Sequence, residues 1–351
     1  MSPIRLGIAG FGRIAELTHL PLIGKMEAYR AVGAFDVTPQ RRALAEKRGL
    51  AVYAQLEDLL ASDADAILIA TPPGSHYRIA EQALLSGKHV LVEKPITLHA
   101  EEAVELKRLA QKQGKHVTVF HNKRFDDDLR LVREIIGSGR LGSIQYVERR
   151  CHQFGSGASF GVQSFHPGWR NETAYGGGAL MDWGVHLVDQ LLQLKLGNWV
   201  SLEASAHRLR WMRGDAEDCV NARIKLDNGI VLAMDIHFGS HASAPLWIVG
   251  GELGTLTVAS AREATLHIAG QQPAVPAEPS SSDGNAYRRD MDGVKRIYAS
   301  FARKLAGEGE SEVTLDEAID GMRVLDAIRT AADEKREVRH GHFILGASIG
   351  I

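Results

Sequence analysis

Two segments, far apart in the chain, carry residues whose types could share one site. The first is Gly10-Phe11-Gly12-Arg13-Ile14-Ala15, directly after an apolar stretch, and the second is Glu93-Lys94-Pro95, after Val90-Leu91-Val92. A Gly-rich turn that opens a helix can hold a pyrophosphate, because free N–H groups and the helix dipole face the anion. The carboxyl ends of parallel strands meet at one edge of a sheet, so we expect Lys94 beside that turn. A dinucleotide next to an amine predicts redox chemistry.

The turn has the spacing of a dinucleotide-binding fingerprint. Gly10 permits the tight turn, Gly12 lets the backbone approach the pyrophosphate, and Ala15 keeps helix and strand close. Asp36 ends the second predicted strand, where an acidic residue binds the ribose 2′-hydroxyl and disfavours a 2′-phosphate. The cofactor is therefore predicted to be NAD. NADP stays open, because Arg41 and Arg42 follow further along the chain.

A second loop is predicted to border the cofactor. It follows the fourth long strand and contains Thr71, Pro72 and His76. The alternative is a plain strand-to-helix turn in which Ser75 caps the next helix.

Acid–base chemistry is suggested by the segment 176–189, which contains Asp182 and His186. Residues four apart share one face of a helix, so the carboxylate can support the imidazole. Histidine, with an ordinary pKa of about 6.5, is the usual acid–base group at neutral pH. A satisfied histidine near a helix dipole is the structural alternative. A zinc site would need further ligands, and His237 and His241 offer them only at loose spacing.

The elements that must position these residues fall into two groups. Up to about residue 120, strands alternate with helices, as in a Rossmann-type, doubly wound parallel sheet. After residue 121 the pattern changes to helices and strands with hairpin spacing, including Asp227-Asn228-Gly229. We therefore predict an α/β domain over 1–121 and an α+β domain with a large, mainly antiparallel sheet over 122–351. A surface excursion is predicted over 271–290, which is rich in Pro, Ser and Gly.

Composition excludes several classes of protein. The chain has 351 residues, 41 basic and 43 acidic side chains and a net charge of −2, which attracts neither nucleic acid nor an anionic membrane. Its two cysteines, Cys151 and Cys219, form no disulfide framework and no metal-ligand spacing, and a reducing cytoplasm is expected. The sequence contains neither a signal-peptide pattern nor an apolar run long enough to span a membrane.

The chain resembles the Gfo/Idh/MocA oxidoreductases, named for glucose-fructose oxidoreductase, inositol dehydrogenase and a rhizopine catabolism protein. The resemblance covers nearly the whole chain and rests on the Gly motif and on three further segments, 67–95, 119–125 and 176–190. The stretch His121–Phe125, the Trp169-Arg170 pair and the Leu187–Gln190 ending are most similar to a branch that contains scyllo-inositol dehydrogenases.

This resemblance implies site roles. Lys94 would lie by the nicotinamide and the substrate hydroxyl, Asp182 and His186 would complete the catalytic group, and Arg124 would lie near them. The Lys94–Pro95 peptide would be cis, and the sheet of the second domain would be a subunit interface. Expected cofactor-binding residues are Gly10, Phe11, Gly12, Arg13, Ile14, Ala15, Asp36, Thr71, Pro72, His76, Glu93 and Lys94. Expected substrate-binding residues are Lys94, Asn122, Arg124, Trp169, Arg170, Asp182 and His186, and no metal site is expected.

The sequence thus predicts an NAD(P)-dependent dehydrogenase that oxidises a secondary hydroxyl of a sugar, sugar acid or cyclitol to a ketone. Its partners would be a small-molecule substrate and further copies of itself, as a homodimer or homotetramer. Helices can cover only one face of the second domain's sheet, and the other face, where copies would meet, is expected to carry Val231, Ala233 and Trp247. Two alternatives stay open. One is an NAD-dependent glycosidase that uses transient oxidation, and the other is a non-catalytic NAD-binding regulator on the same fold.

Overall fold

The computed structural model describes residues 2–156, 166–209, 213–260, 263–275 and 291–341. The chain divides into two compact units. The first contains residues 2–121, the described part of 157–177, and 295–322. The second contains the described parts of 122–156, 178–294 and 323–351. The first unit therefore includes two segments from the later part of the chain, beyond the predicted boundary at residue 121.

A six-stranded parallel sheet forms the centre of the first unit, in the order β3-β2-β1-β4-β5-β6. Strands β4 and β6 are buried along their whole length, as expected for a sheet covered on both faces. The predicted doubly wound sheet is confirmed. The strands are β1 (Ile4–Ala9), β2 (Tyr29–Phe35), β3 (Ala51–Tyr53), β4 (Ala66–Ile69), β5 (His89–Glu93) and β6 (Val117–Phe120).

Helices connect these strands, close to the predicted positions. The first connection opens with a π-helical segment, Ala15–His19, that passes into a short α-helix. Ser75 occupies the N-cap position of the fourth helix as predicted, but its side chain makes no capping hydrogen bond. Its hydroxyl lies instead within hydrogen-bond distance of Thr71 Oγ1, at 2.7 Å, and of the Pro72 carbonyl, at 2.9 Å. The helices are α1 (Leu20–Ile23), α2 (Pro39–Lys47), α3 (Leu56–Leu60), α4 (His76–Leu85) and α5 (Ala100–Gln113).

An eight-stranded sheet forms the centre of the second unit, in the order β13-β12-β11-β7-β10-β9-β8-β14. Only β7 and β10 pair in parallel among the described strands of this sheet, so the predicted mainly antiparallel sheet is confirmed. The strands are β7 (Ile144–His152), β8 (Trp199–His207), β9 (Cys219–Leu226), β10 (Val231–His237), β11 (Trp247–Gly251), β12 (Gly254–Ser260), β13 (Glu263–Ile268) and β14 (Val338–Arg339).

The predicted hairpin at Asp227-Asn228-Gly229 joins β9 to β10, and Gly229 has the positive φ (87°) that such a turn requires. Strands β13 and β14 were not predicted. The predicted surface excursion lies mostly outside the described residues. The remaining helices are α6 (Asp127–Gly137), α7 (Val185–Leu192), α8 (Met291–Leu305) and α9 (Leu315–Glu334), and a π-helical segment, Leu180–Gly184, precedes α7.

The two faces of the large sheet differ in burial. Side chains alternate strictly along β9 and β10, and one set is buried while the other is half-buried or exposed. We expected Trp247 on the less buried face, together with Val231 and Ala233, and for Trp247 this is wrong. Trp247 pairs with Arg149, which pairs with Met234, so it shares the buried face and is 0% exposed. Its indole N–H donates to Asp128 at 3.0 Å.

Candidate functional site

The Gly-rich turn after β1 has the geometry that its sequence predicts. Gly10 has φ of +90°, and a Cβ there would lie 2.7 Å from the Thr71 side chain. Gly12 differs, because no described atom lies within 4 Å of the position that its Cβ would take. The helical stretch starts at Arg13. The backbone at Gly12 is therefore open to a ligand, at the N-terminus of a helix, where an anion is favoured.

Asp36 lies one residue past β2 and is 9% exposed. Its carboxylate accepts the N–H of Phe11 at 2.8 Å and the N–H of Thr38 at 2.7 Å. Both nearby arginines already have hydrogen-bond partners. Arg42 donates to the main-chain carbonyl of Asp36 at 2.6 Å, and Arg41 contacts Glu16 at 3.4 Å.

The loop after β4 is held by His76, which is fully buried. Its ring nitrogens lie 2.7 Å from the Pro95 carbonyl and 2.8 Å from the Thr71 carbonyl. Burial lowers the pKa of this imidazole. His76 thus joins the Thr71 loop to the main chain just after Lys94, and its role in the described geometry is to position both segments.

Lys94 directly follows β5, and the Lys94–Pro95 peptide is cis, which confirms the expectation from the resemblance. The lysine is half-buried, while Glu93 is only 8% exposed. The Glu93 side chain turns back and accepts the N–H of Lys94 at 3.1 Å. The strand end therefore fixes the main chain from which the amine projects.

These groups share one edge of the first unit's sheet. The Gly turn, Asp36, Thr71 and Lys94 follow the carboxyl ends of β1, β2, β4 and β5, which are four neighbouring strands of the six. In open parallel sheets this edge is the place where ligands bind. The predicted meeting of the turn and the amine at one sheet edge is therefore present in the topology.

In the second unit, Asp182 lies in the π-helical segment and His186 in the first turn of α7. Asp182 is half-buried and His186 is 6% exposed. The Trp183 ring lies edge-on to the His186 imidazole, with 6.1 Å between the ring centroids, and the Lys123 ammonium lies 4.9 Å from the Trp183 ring centroid.

The start of this helical stretch depends on Glu217, which the sequence analysis missed. Glu217 accepts the Leu180 N–H through Oε1 at 2.9 Å, and its carbonyl accepts the Ala179 N–H at 2.9 Å. Burial raises the pKa of this carboxyl. Gly178 has φ of +107°, and a Cβ there would come within 2.5 Å of the Glu217 carboxylate. No local pattern marks Glu217 as a cap, because it lies far along the chain from the helix.

Arg124 forms a buried ion pair with Asp189. Its Nε and Nη2 atoms donate to Asp189 at 3.0 and 2.7 Å, and both side chains are almost fully buried. Asn122, also in the second unit, is 7% exposed, and among the described residues its buried Oδ1 atom has no hydrogen-bond partner. Arg170 stacks on the ring of Trp169 at 4.3 Å, and both are half-buried residues of the first unit.

Together these features define a class of protein: a Rossmann-type dinucleotide-binding unit and an α+β unit that carries buried acid–base side chains. Residues 4–121 match the model of the Gfo/Idh/MocA oxidoreductase family's NAD-binding Rossmann fold, and residues 129–257 match its C-terminal domain. The two matched segments cover more than half of the chain. The chain therefore belongs to the Gfo/Idh/MocA oxidoreductase family.

One relative matches over nearly its whole length. The chain is 26% identical to scyllo-inositol 2-dehydrogenase (NADP⁺) IolW of Bacillus subtilis, over 97% of this chain and 96% of that protein. Two uncharacterised oxidoreductases of Schizosaccharomyces pombe are 34% and 32% identical, but the chain spans only 59% and 52% of their lengths.

Solved structures have the same fold. An NAD-binding protein from Listeria innocua superposes with a TM-score of 0.84 at 27% identity, covering 98% of this chain and 99% of that one. The WlbA dehydrogenase from Bordetella pertussis, solved in complex with NADH and UDP-GlcNAcA, gives a TM-score of 0.80 at 24% identity, covering 96% and 98%.

The N-terminal domain binds NAD, and its residues fit this cofactor. The open backbone at Gly12 and the helix that follows suit the pyrophosphate, and Asp36 suits a ribose hydroxyl. Within the part of the chain that the structure describes, no cluster of three or more His, Cys, Asp or Glu side chains could hold a metal ion. The described helices include none with the length and apolar character needed to cross a membrane.

Proposed function

We propose that the protein is an NAD(P)-dependent dehydrogenase that reversibly oxidises a secondary hydroxyl of a sugar, sugar acid or cyclitol. The observation that carries the proposal is the position of Lys94. It follows β5 at the same sheet edge as the Gly turn, with its main chain held by Glu93. An amine at this edge can meet the oxygen of a substrate whose carbon faces the cofactor.

Different residues of the chain are proposed for the separate parts of the reaction. A nicotinamide bound at this edge would supply the hydride acceptor for oxidation and the hydride donor for the reverse reaction. His186 accepts the hydroxyl proton, because an imidazole can exchange a proton at neutral pH. Asp182 supports that imidazole. Lys94 orients the substrate oxygen and offsets the negative charge that develops on it.

Burial assists the proton transfer. His186 is 6% exposed, so water competes little for its ring. Charge interactions are stronger in such a site than in water. Asn122, Trp169 and Arg170 are the proposed substrate-recognition residues. Arg124 would act near them through its ion pair with Asp189, which keeps the guanidinium in place.

The names of two relatives support the proposed substrate class. A relative that matches over nearly its whole length is named for scyllo-inositol, and another, from Escherichia coli, is named D-glucoside 3-dehydrogenase. We therefore place cyclitols and glycosides first among the candidates. The chain is proposed to work as a homodimer or homotetramer, with the less buried face of the large sheet as the contact between copies.

A substrate screen tests the proposal. Purified protein is mixed with NAD or NADP and with single inositols, aldoses, glycosides or sugar acids, and the absorbance of the reduced cofactor is followed. The expected result is cofactor reduction with at least one compound, at a rate that falls by roughly 10²–10⁴ when Lys94 is replaced by alanine. Turnover of a glycoside without net cofactor reduction would indicate the glycosidase instead. Activity that survives Lys94→Ala unchanged would contradict the proposed roles.

A further inference from the structure

A fully buried histidine, His19, connects the cofactor helix to the segment that carries Lys94. It is the last residue of the π-helical segment that follows the Gly-rich turn, and it is 0% exposed. Its ring packs against Phe120, with 4.4 Å between the ring centroids. Single π-helical turns are rare and occur often at functional sites. A buried imidazole is costly unless its nitrogens are hydrogen-bonded.

Both ring nitrogens of His19 have partners. Nε2 lies 3.0 Å from Glu93 Oε1, and Nδ1 lies 2.8 Å from the hydroxyl oxygen of Tyr298. Tyr298 is itself fully buried, and its main-chain carbonyl accepts the hydroxyl of Tyr29 at 2.7 Å. All four side chains belong to the first unit.

The direction of these hydrogen bonds follows from the partners. Burial raises the pKa of Tyr298 well above its usual value, so the hydroxyl keeps its proton and can donate to Nδ1. A neutral imidazole that accepts at Nδ1 carries its proton on Nε2. That N–H points to the carboxylate of Glu93, which is an acceptor when ionised. The network therefore places a ring proton on Nε2, from which it can be donated to Glu93.

The network ends at the main chain of Lys94. Glu93 Oε1 lies 3.0 Å from Nε2 of His19, while Glu93 Oε2 accepts the main-chain N–H of Lys94 at 3.1 Å. A carboxylate held at both oxygens has little freedom to rotate. The orientation of Lys94's backbone thus depends on a side chain that arises from the cofactor helix.

We propose that His19 is a positioning residue for the oxidoreductase reaction, which it serves by holding Glu93 and, through Glu93, the main chain of Lys94. This inference rests on the proposed function, because it assumes that Lys94 acts on the substrate oxygen. A purely structural histidine would stabilise the fold without a specific effect on turnover.

Variants separate the two roles. His19→Ala should lower kcat by about 10- to 100-fold, the range found when a group that orients a functional side chain is removed. The affinity for NADH, measured by its fluorescence, should stay within about threefold, because Gly12 and Asp36 hold the far end of the cofactor. His19→Gln should recover much of the loss, since its amide can donate to Glu93.

The two tyrosines provide a matched pair. Tyr298→Phe and Tyr29→Phe each delete one buried hydroxyl, but only the hydroxyl of Tyr298 contacts His19. Tyr298→Phe should lower kcat, whereas Tyr29→Phe should leave it unchanged at a similar cost in thermal stability. If His19→Ala does not fold, the kcat values of Tyr298→Phe, Tyr29→Phe and His19→Gln still test the proposal.

A spectroscopic measurement needs no substrate. Long-range ¹H–¹⁵N spectra of histidine-labelled protein with NADH bound should show a proton on Nε2 of His19, with the signal assigned by its loss in His19→Gln. A ring protonated on Nδ1 alone, which cannot donate to Glu93 from Nε2, would overturn the inference. So would normal turnover in His19→Ala while Lys94→Ala is inactive. Normal turnover in both variants would instead refute the proposed function.

Discussion

The carboxylate of Asp36 accepts the main-chain N–H of Phe11 at 2.8 Å, so the end of β2 is tied directly to the Gly-rich turn after β1. The acidic residue proposed to contact the ribose and the turn proposed to bind the pyrophosphate are therefore one hydrogen-bonded unit. Arg41 and Arg42, the cations that could accept a 2′-phosphate, are engaged with Glu16 and with the Asp36 carbonyl.

This arrangement predicts a preference for NAD over NADP, because a 2′-phosphate would meet the Asp36 carboxylate. Two measurements test this preference. One is the Kd of NADH and of NADPH, measured by fluorescence, and the other is the ratio of kcat/KM for NAD and NADP. Asp36→Ser should shift the affinity ratio towards NADPH by about tenfold or more, which is about 1.4 kcal/mol. Asp58→Ser, at an exposed site on α3, is the control. A clear preference of the wild type for NADP would refute the assignment.

Lys94 and His186 should affect chemistry rather than cofactor binding. Replacing either with alanine should cut kcat by roughly 10²–10⁴, the usual contribution of a positioned acid–base group, and should leave NAD affinity within a few-fold. Lys112→Ala, at an exposed position of α5, controls for loss of a lysine. Near-normal kcat in both variants would refute the mechanism but not the cofactor site, which rests on other residues.

Asp182→Asn should cost less kcat than His186→Ala, because Asp182 is proposed only to support the imidazole. The rate of alcohol oxidation should rise with pH across the range in which an imidazole loses its proton. That rise should shift in Asp182→Asn and vanish in His186→Ala. A pH profile that is the same in all three proteins would exclude His186 as the base.

The protein should form dimers or tetramers through the less buried face of the large sheet. Val231 and Ala233 lie half-buried on that face, beside the charged side chains of Glu148, Arg223 and Lys225. A self-complementary contact between two copies would bury the two apolar residues and pair opposite charges. Light scattering should give a multiple of the chain mass. Ala233→Arg should weaken the assembly, while Ala61→Arg, at an exposed site in the first unit, should not. A monomer mass for the wild type at micromolar concentration would contradict this.

His89 should make the fold sensitive to acid. Burial lowers its pKa to about 4, so the folded protein resists protonation while the unfolded chain takes up a proton below about pH 6.5. Stability should therefore fall between pH 6.5 and 4, by on the order of 1–2 kcal/mol at pH 5.

The control for this effect is a conservative replacement. His89→Asn keeps an acceptor for the His116 N–H that Nδ1 now accepts, but it cannot take up a proton. Thermal unfolding of this variant should lose less stability between pH 7 and 5 than the wild type. His241→Asn, at an exposed histidine, should behave like the wild type. Equal acid sensitivity of His89→Asn and the wild type would exclude His89 as the cause.

Local sequence patterns were sufficient for most of the strands and for their alternation with helices, but they did not predict β13 and β14. The apolar strands, the Gly turn and the Asn-Gly hairpin each depend on neighbours in the chain, so periodicity predicted them. The prediction of the sheet face on which Trp247 lies was wrong for a physical reason. A shift of one residue between paired strands reverses the face of every side chain, and register cannot be read from one strand alone.

The same reason limits prediction of the site. The Arg124–Asp189 ion pair, the cap formed by Glu217 and the contact of His19 with Tyr298 join residues that are distant in sequence. No local sequence pattern marks either residue of such a pair. Only the tertiary structure brings the two residues together. Such side chains orient the residues that the motifs reveal.

The dependence of the Leu180 N–H on Glu217 sets an order of events during folding. The stretch that carries Asp182 and His186 is synthesised before the residue that completes its first turn. Non-local contacts of this kind form slowly, because the intervening chain must first be ordered. A nascent chain released before residue 217 would thus contain both acid–base residues on a helix whose N-terminus is still open. The proposed acid–base residues of the second unit are therefore expected to be held in place only after β8 and the segment beyond it have folded.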